Sequence, residues 1–330
     1  MLEKPDFPDD KLKTCLHADY GIDVADVAFL PLGADAATAV YRVAEGAKSY
    51  FLKLRRGAFD EAGVTVPRFL SDHGVALIIT PVETRDGRLW THVDNFAATL
   101  YPFVEGRNGY DVLPLERHWV ELGAALKEMH TIAVPPSLVE AIPRETFSPF
   151  WRNMVRDVQV LVEATVFEEP VAARCAAFVR EKRAEIDGLV TRAEALATNL
   201  TARPLPFVLC HGDIHAWNLL IGADGALYIV DWDTLILAPK ERDLMFVGAS
   251  LGIGDTPAGA ALFYQGYGKT EIDRDALAYY RCERIVEDIA VFCQQLLLTD
   301  EGGAVREQAL GYLTDSFLPG HVVERAYRTP

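Results

Sequence analysis

The chain has 330 residues, half of them hydrophobic and 24% charged. Such a length accommodates one large domain or two lobes, and such a composition is that of a globular protein with ample material for a core. A net charge of −16 argues against nucleic acid, whose binding needs clustered Lys and Arg, and suits a cationic small molecule instead.

Taken in chain order, VADVAFLPLG, TAVYRVA and KSYFLKLRR read as strands, broken at Gly33 and at EGAK. DEAGVTVPRFLSDHG reads as a helix that tolerates Pro67 and stops at Gly74. Two more strands are expected around ALIITPVET and FAATLYPFVEG, with the turn RDGR between them. Beyond VEGRNGY the period becomes helical. LERHWVELGAALKEMHTI sets Trp119, Leu122, Leu126, Met129 and His130 on or near one face, and FVREKRAEIDGLVTRAEALATNL reads as another long helix. A strand-rich island over 206–232 interrupts this pattern before DRDALAYYRCERIVEDIAVFCQQLLL turns helical again. The expected division is a β-rich N-terminal lobe over 1–100, a hinge over 101–106 and a larger helical lobe over 107–330.

The five cysteines are scattered without CxxC spacing, which reads as reduced thiols. The acidic, proline-bearing MLEKPDFPDDK is unlike a signal peptide, and no apolar run approaches the ~18–20 residues of a spanning helix. These features give the expectation of a cytoplasmic protein without membrane association.

The polar residues densest in chemistry lie in HGDIHAWNLLI and YIVDWD. Asn218 follows Asp213 by five positions and Asp231 follows it by eighteen. LLIGADGALYIVD reads as a hairpin around ADG that would fold Asp231 back beside Asp213 and Asn218. Carboxylates and an amide oxygen so gathered form a hard-oxygen site suited to Mg²⁺. An Asp-x-x-x-x-Asn element ahead of a metal-binding Asp is also the spacing protein kinases use for phosphoryl transfer. On that pattern Asp213 orients an acceptor hydroxyl and takes its proton, Asn218 and Asp231 hold Mg²⁺, and a distant lysine steadies the phosphates. Lys53, in the strand SYFLKLRR, is the candidate lysine, with Glu61 its expected carboxylate partner and Asp60 next to it. PLGADAATAVY, between two strands ahead of Lys53, is the candidate phosphate loop, although it holds one glycine rather than three.

LCHGDIHAWNLLI, YIVDWD and APKERDLMF together resemble the aminoglycoside phosphotransferase family. Within it, GADAATAVY, SYFLKL, LAPKERDLMF and YYRCERIVEDIAV most resemble the spectinomycin phosphotransferases, with a likeness running from about Tyr20 to about Gln295. The resemblance implies an α+β, protein-kinase-like two-lobed fold with a small β-rich N-lobe and a larger, mainly helical C-lobe. It implies an ATP- and Mg²⁺-dependent O-phosphotransferase acting on a cationic aminocyclitol or aminoglycoside, most plainly spectinomycin, with antibiotic resistance as the outcome. Asp213 would be the base, Asn218 and Asp231 the Mg²⁺ ligands, and Lys53 the ATP phosphate contact. Gly33, Ala34, Asp35 and Thr38 would line the phosphates, largely through backbone amides, since Ala36 and Ala37 stand where relatives often carry polar side chains. TLYPFVEG would be the hinge, with backbone at Tyr101 and Phe103 holding adenine, while Asp243 and His211 would brace the catalytic loop. A monomer or weak dimer is expected.

Other readings stay open. A kinase of the same fold could act on an aminosugar, choline or another metabolic or biosynthetic hydroxyl. His211-x-Asp213-x-His215 could belong to a zinc metallohydrolase, although the further ligands this needs have no matching histidine pair elsewhere. Glu283, Glu287 and Asp288 could face substrate ammonium groups or form surface pairs with Arg284. Trp217 and Tyr280 could wall the acceptor site or belong to the core.

Overall fold

The computed structural model describes residues 4–5, 7–32, 37–112, 114–248, 256–299 and 304–328. The chain divides into two compact units, one of Met1–Ile142 with Ala216–Leu235 and one of Pro143–His215 with Ile236–Pro330.

Helix α1 (Asp9–Cys15) winds into a π-helical turn over Leu16–Tyr20 that ends at Gly21, where φ is 73°. Strands β1 (Asp26–Leu30), β2 (Thr38–Glu45) and β3 (Lys48–Arg56) form an antiparallel meander, followed by α2 (Ala62–Asp72). Strands β4 (Thr91–Val93) and β5 (Phe96–Pro102) complete a five-stranded sheet in the order β1-β2-β3-β5-β4. The two-residue period of a strand fixes where its polar side chains go. In β3, Leu52 and Leu54 are buried in one cluster with Tyr41, Val43, Leu100 and, from α1 and the turn after it, Leu12 and Leu16. Lys53 lies between those leucines and therefore faces the other side, opposite Thr99 of β5.

Next come β6 (Gly106–Asn108), α3 (Glu116–Thr131) and α4 (Pro136–Ala141). The second unit then begins with α5 (Phe150–Ala164), α6 (Pro170–Glu181), α7 (Arg183–Thr201) and β7 (Val208–Cys210). The chain rejoins the first unit as a 3-10 turn, Ala216–Asn218, and the hairpin β8 (Leu219–Gly222) and β9 (Leu227–Ile229), with β8 pairing to β6. Arg117 Nη2 and His118 Nε2 of α3 both donate to the carbonyl of Gly225 in the hairpin turn, at 2.8 and 2.9 Å.

The second unit resumes with β10 (Ile236–Ala238), antiparallel to β7, and continues through α8 (Glu241–Leu244), α9 (Pro257–Tyr267), α10 (Arg274–Leu298), α11 (Ala304–Asp315) and α12 (Val322–Arg328). Its core gathers around α10. Asp273 caps that helix by accepting from Ala276 N at 3.1 Å, and its 25 residues contain no Gly or Pro. Cys282, Val286, Ile289, Cys293 and Leu296 enter one cluster with Val155 of α5, Cys175 of α6 and Leu189 of α7. Among the described residues no helix is long and apolar enough to cross a membrane.

Two expectations are corrected. ALIITPVET is not a strand: Leu77 is left-handed (φ 67°), Pro81 has no N–H, and the segment bonds singly, through Ile78 to Ile229 and Val82 N to Leu100 O. The helix expected over 178–200 is two, separated at Lys182 (φ −89°, ψ 8°), and both send apolar residues into the same core. The short β4 and β6 carry too few residues for a period to be read. Residues 101–106 belong to the first unit, where β6 pairs with β8 and Ala223 N donates to Glu105 O at 2.7 Å.

Candidate active site

In the first unit the β8–β9 hairpin forms around ADG, with Gly225 left-handed (φ 80°) and Gly222 N donating to Ala226 O at 2.8 Å. Past Ile229, Val230 N donates to Asn218 O at 3.0 Å, so the segments carrying Asn218 and Asp231 are tied together. Asp231 itself takes φ 64°, a conformation aspartate tolerates better than most residues. Trp232 is buried and its Nε1 donates to Ile229 O at 3.2 Å, which anchors the chain between two partly exposed carboxylates.

Lys53 meets both of them. Its Nζ donates to Asp233 Oδ2 at 2.7 Å and to Asp231 Oδ1 at 3.2 Å, while Arg55 Nη1 reaches Asp233 Oδ2 at 3.2 Å. Burial alone would lower the ammonium's pKa, but Asp231 and Asp233 outweigh it and hold Lys53 above the ordinary lysine value. The first turn of α2 comes close here: a Cβ on Gly63 would meet Trp232 O at 3.4 Å and Asp233 Oδ1 at 3.5 Å. Tyr101 stands on the same sheet face as Lys53, and burial, then the charges of Asp233 and Asp231, push its phenol up.

Beside the 3-10 turn, Trp217 stacks on Tyr110 with centroids 4.3 Å apart and planes 20° from parallel, and both rings are exposed. The pairing follows from the backbone. Gly109 N donates to Ala216 O at 2.9 Å and Leu219 O at 2.7 Å, and Asn108 Oδ1 accepts from Tyr110 N at 2.9 Å.

In the second unit the loop after β7 carries Asp213. Asp243 of α8, fully buried, accepts from His211 N at 3.0 Å and Gly212 N at 2.8 Å, which turns the chain at Gly212 (φ 86°). Asp213 N donates to His211 Nδ1 at 3.3 Å. On the carboxylate, Oδ1 accepts from Arg284 Nη1 of α10, and Oδ2 lies 3.3 Å from His215 Nε2. Arg284 Nε also reaches Asp288 Oδ1 at 3.1 Å. Burial would raise the Asp213 carboxyl, but the His215 hydrogen bond and the charge of Arg284 hold it well below the usual carboxylate range.

Gly33, Ala34 and Asp35, with Ala36, lie outside the described residues. Thr38 opens β2 opposite Arg55. Phe103 does not offer its N–H to a ligand, because Ser49 O accepts it at 3.1 Å, and Arg42 stands over its ring at 4.5 Å. Glu61 is not the partner of Lys53: it precedes α2, its carbonyl accepting from Thr65 N, and the carboxylates at Lys53 come from the far end of the hairpin. Glu283 is not on the surface. It is 5% exposed and bound to Arg152 at 2.5 Å, and burial pushes its carboxyl up to about 7 against that pairing. Burial likewise raises Glu287 and Asp288. Tyr280 is a core residue, its hydroxyl buried without a hydrogen-bond partner among the described residues. His211 uses Nδ1 on the loop's own backbone, and His211, Asp213 and His215 do not gather three metal-binding atoms. Asp233, Arg284 and Tyr110 were missed. Asp233 stands two residues after Asp231 within VDWD, whereas local sequence shows the Arg284–Asp288 spacing but nothing that announces the bond of Arg284 to Asp213 or the stacking of Tyr110 on Trp217.

The first unit thus offers a buried-stem lysine beside hard-oxygen donors, which suits phosphate groups. The residues also fit Mg²⁺: Asn218 and Asp231 supply an amide oxygen and a carboxylate tied through Val230, and the Asp231 side chain is 55% exposed and so accessible to an ion. The second unit offers an ionised carboxylate with a fixed plane.

Residues 28–280 match the model of the phosphotransferase enzyme family, APH. Spectinomycin phosphotransferase APH(9)-Ia, solved with ADP and spectinomycin, is 36% identical with a TM-score of 0.91, over 99% of this chain and 99% of that one. Its AMP-bound complex superposes with a TM-score of 0.86 over 97% of this chain and 98% of that one, again at 36% identity. Protein StrN of Streptomyces griseus is 29% identical over 242 residues, 69% of this chain and 70% of that protein. The described strands and helices are those of a kinase-like α+β fold.

Proposed function

Since the chain belongs to the phosphotransferase enzyme family, we propose that it transfers the γ-phosphoryl group of ATP to a hydroxyl of spectinomycin or a near-identical aminocyclitol. The observation that carries this reading is the 36% identity, spread over 99% of both chains, to an enzyme solved with ADP and spectinomycin. Inactivation of the antibiotic in the cytoplasm is the role that follows.

The residues divide the work. Lys53, held cationic by Asp231 and Asp233, exchanges a carboxylate for the ATP phosphates. Asn218 and Asp231 would hold Mg²⁺, which when bound supplies charge neutralisation at the phosphates. Asp213 accepts a hydrogen bond from the acceptor hydroxyl, aligns its oxygen on the γ-phosphorus and receives the proton as the new P–O bond forms and ADP leaves. A carboxylate of depressed pKa suits this task, because in a loose phosphoryl-transfer transition state alignment outweighs early proton removal.

The test is incubation with Mg²⁺, ATP and spectinomycin, followed by ADP release, mass and ³¹P NMR. One added phosphate on spectinomycin is expected. Turnover of choline, homoserine, methylthioribose or a plain aminosugar without turnover of spectinomycin would replace the acceptor while keeping the chemistry. Expression in a susceptible bacterium should raise its spectinomycin tolerance.

A further inference from the structure

We infer that Arg284 is a positioning residue for Asp213, its guanidinium bridging Asp213 and Asp288 so that the carboxylate is held in one orientation and kept charged. The inference rests on Asp213 being the proton acceptor.

The geometry is more specific than an incidental ion pair. Each Asp213 oxygen has its own partner, Arg284 Nη1 for Oδ1 and His215 Nε2 for Oδ2, so rotation about the Cβ–Cγ bond breaks both. Asp288 Oδ1, one turn along α10, lies 3.1 Å from Arg284 Nε in an ion-pair contact without hydrogen-bond geometry, so its charge rather than a directed bond holds the guanidinium here. Both groups that hold the carboxylate rest on one ring: Phe246 is fully buried, with Arg284 at 5.8 Å from its centroid and the His215 ring edge-on at 6.0 Å. Arg284 and Asp213 side chains are 20% and 21% exposed, so solvent screens the pair weakly.

Within the second unit the charged and titratable groups around Asp213 are His211 and His215 from its own loop, Asp243 from α8, and Arg284, Glu287 and Asp288 from α10. Arg284 is a permanent cation bonded directly to it. Without that cation the neighbouring carboxylates dominate, and Asp213 takes up a proton at higher pH and turns more freely.

The test compares wild type, Arg284→Gln, Arg284→Lys and Asp213→Asn. Protein carrying ¹³C-labelled aspartate carboxyls is titrated by NMR, with the Asp213 signal identified by its loss in Asp213→Asn. In Arg284→Gln that signal should titrate at least one pH unit above its wild-type position. With Mg²⁺, ATP and spectinomycin, kcat should fall about ten- to a hundredfold and its acid limb should move to higher pH. Arg284→Lys should restore the titration while leaving kcat low, because an ammonium cannot bridge two carboxylates as a planar fork does. An unchanged Asp213 titration and acid limb in Arg284→Gln, with only Tm lowered, would reduce Arg284 to a structural tie and overturn the inference. Wild-type turnover in Asp213→Asn would remove the base assignment and the inference together.

Discussion

Lys53 Nζ lies 2.7 Å from Asp233 Oδ2 and 3.2 Å from Asp231 Oδ1, so one strand lysine answers two carboxylates at the end of a hairpin about 180 residues downstream. Phosphates entering this place must compete with those carboxylates for one ammonium. Lys53→Met should therefore weaken ATP binding at least about tenfold, or ~1.4 kcal/mol, by calorimetry. The carboxylates left behind are 55% and 37% exposed and remain hydrated, so Tm should move by no more than about 4 °C. Unchanged ATP affinity would detach Lys53 from the nucleotide.

Trp217 stacks on Tyr110 with both rings exposed, so neither supports the core. If this surface receives a cationic aminocyclitol, Trp217→Ala should raise the acceptor KM roughly three- to thirtyfold, the range of a cation–π contact of ~0.5–2 kcal/mol. kcat, ATP KM and Tm should stay near wild type. Steady-state kinetics with each substrate varied in turn decides this, and an unmoved acceptor KM ends the assignment.

Arg152 and Glu283 form an ion pair in the helical core, with side chains 3% and 7% exposed. Burial raises the Glu283 carboxyl to about 7, above its unfolded value, so the folded state takes up a proton between roughly pH 4.3 and 7. Stability from this group therefore falls as pH rises through that window. Arg152→Met leaves the carboxylate buried alone, and the loss should be about 3–5 kcal/mol at pH 8. At pH 5.5, where Glu283 is protonated and neutral, the loss should be clearly smaller. Urea unfolding at both pH values measures it, and equal losses would contradict the buried-carboxylate account.

Four of the five cysteines are buried, and Cys175 and Cys293 bring their sulfurs to 4.0 Å in a thiol–thiol contact without a disulfide. Cys15 is partly exposed, but burial and then Asp19 push its thiol up to about 12, which leaves little thiolate at neutral pH. Ellman's reagent at pH 8 should find fewer than one reactive thiol in the native protein and five after denaturation. Rapid reaction of the native thiols would contradict this packing.

What could be read from the sequence was whatever is local. Strand alternation set Lys53 between Leu52 and Leu54, and ADG announced the hairpin that brings Asp231 back toward Asn218. The ionic partners could not be read in this way. Arg284 shows its i,i+4 relation to Asp288 but not its bond to Asp213, which lies 71 positions away. Glu61 failed for the same reason: adjacency in sequence favoured it, whereas the fold delivers Asp231 and Asp233 to Lys53. The burial of Glu283 was equally hidden, since charges at helical spacing look alike until a partner such as Arg152 arrives from another helix.

The left-handed backbone at Asp231 governs how its role is to be dissected. Alanine there would remove the carboxylate and also force a Cβ-bearing, non-hydrogen-bonding residue into a conformation that costs it roughly 1 kcal/mol. Glycine would remove the carboxylate while relaxing the chain, and a β-branched residue would strain it further. Asparagine keeps both the shape and the torsional tolerance, so at this position it is the substitution that removes the charge, and one acceptor oxygen with it, without straining the backbone.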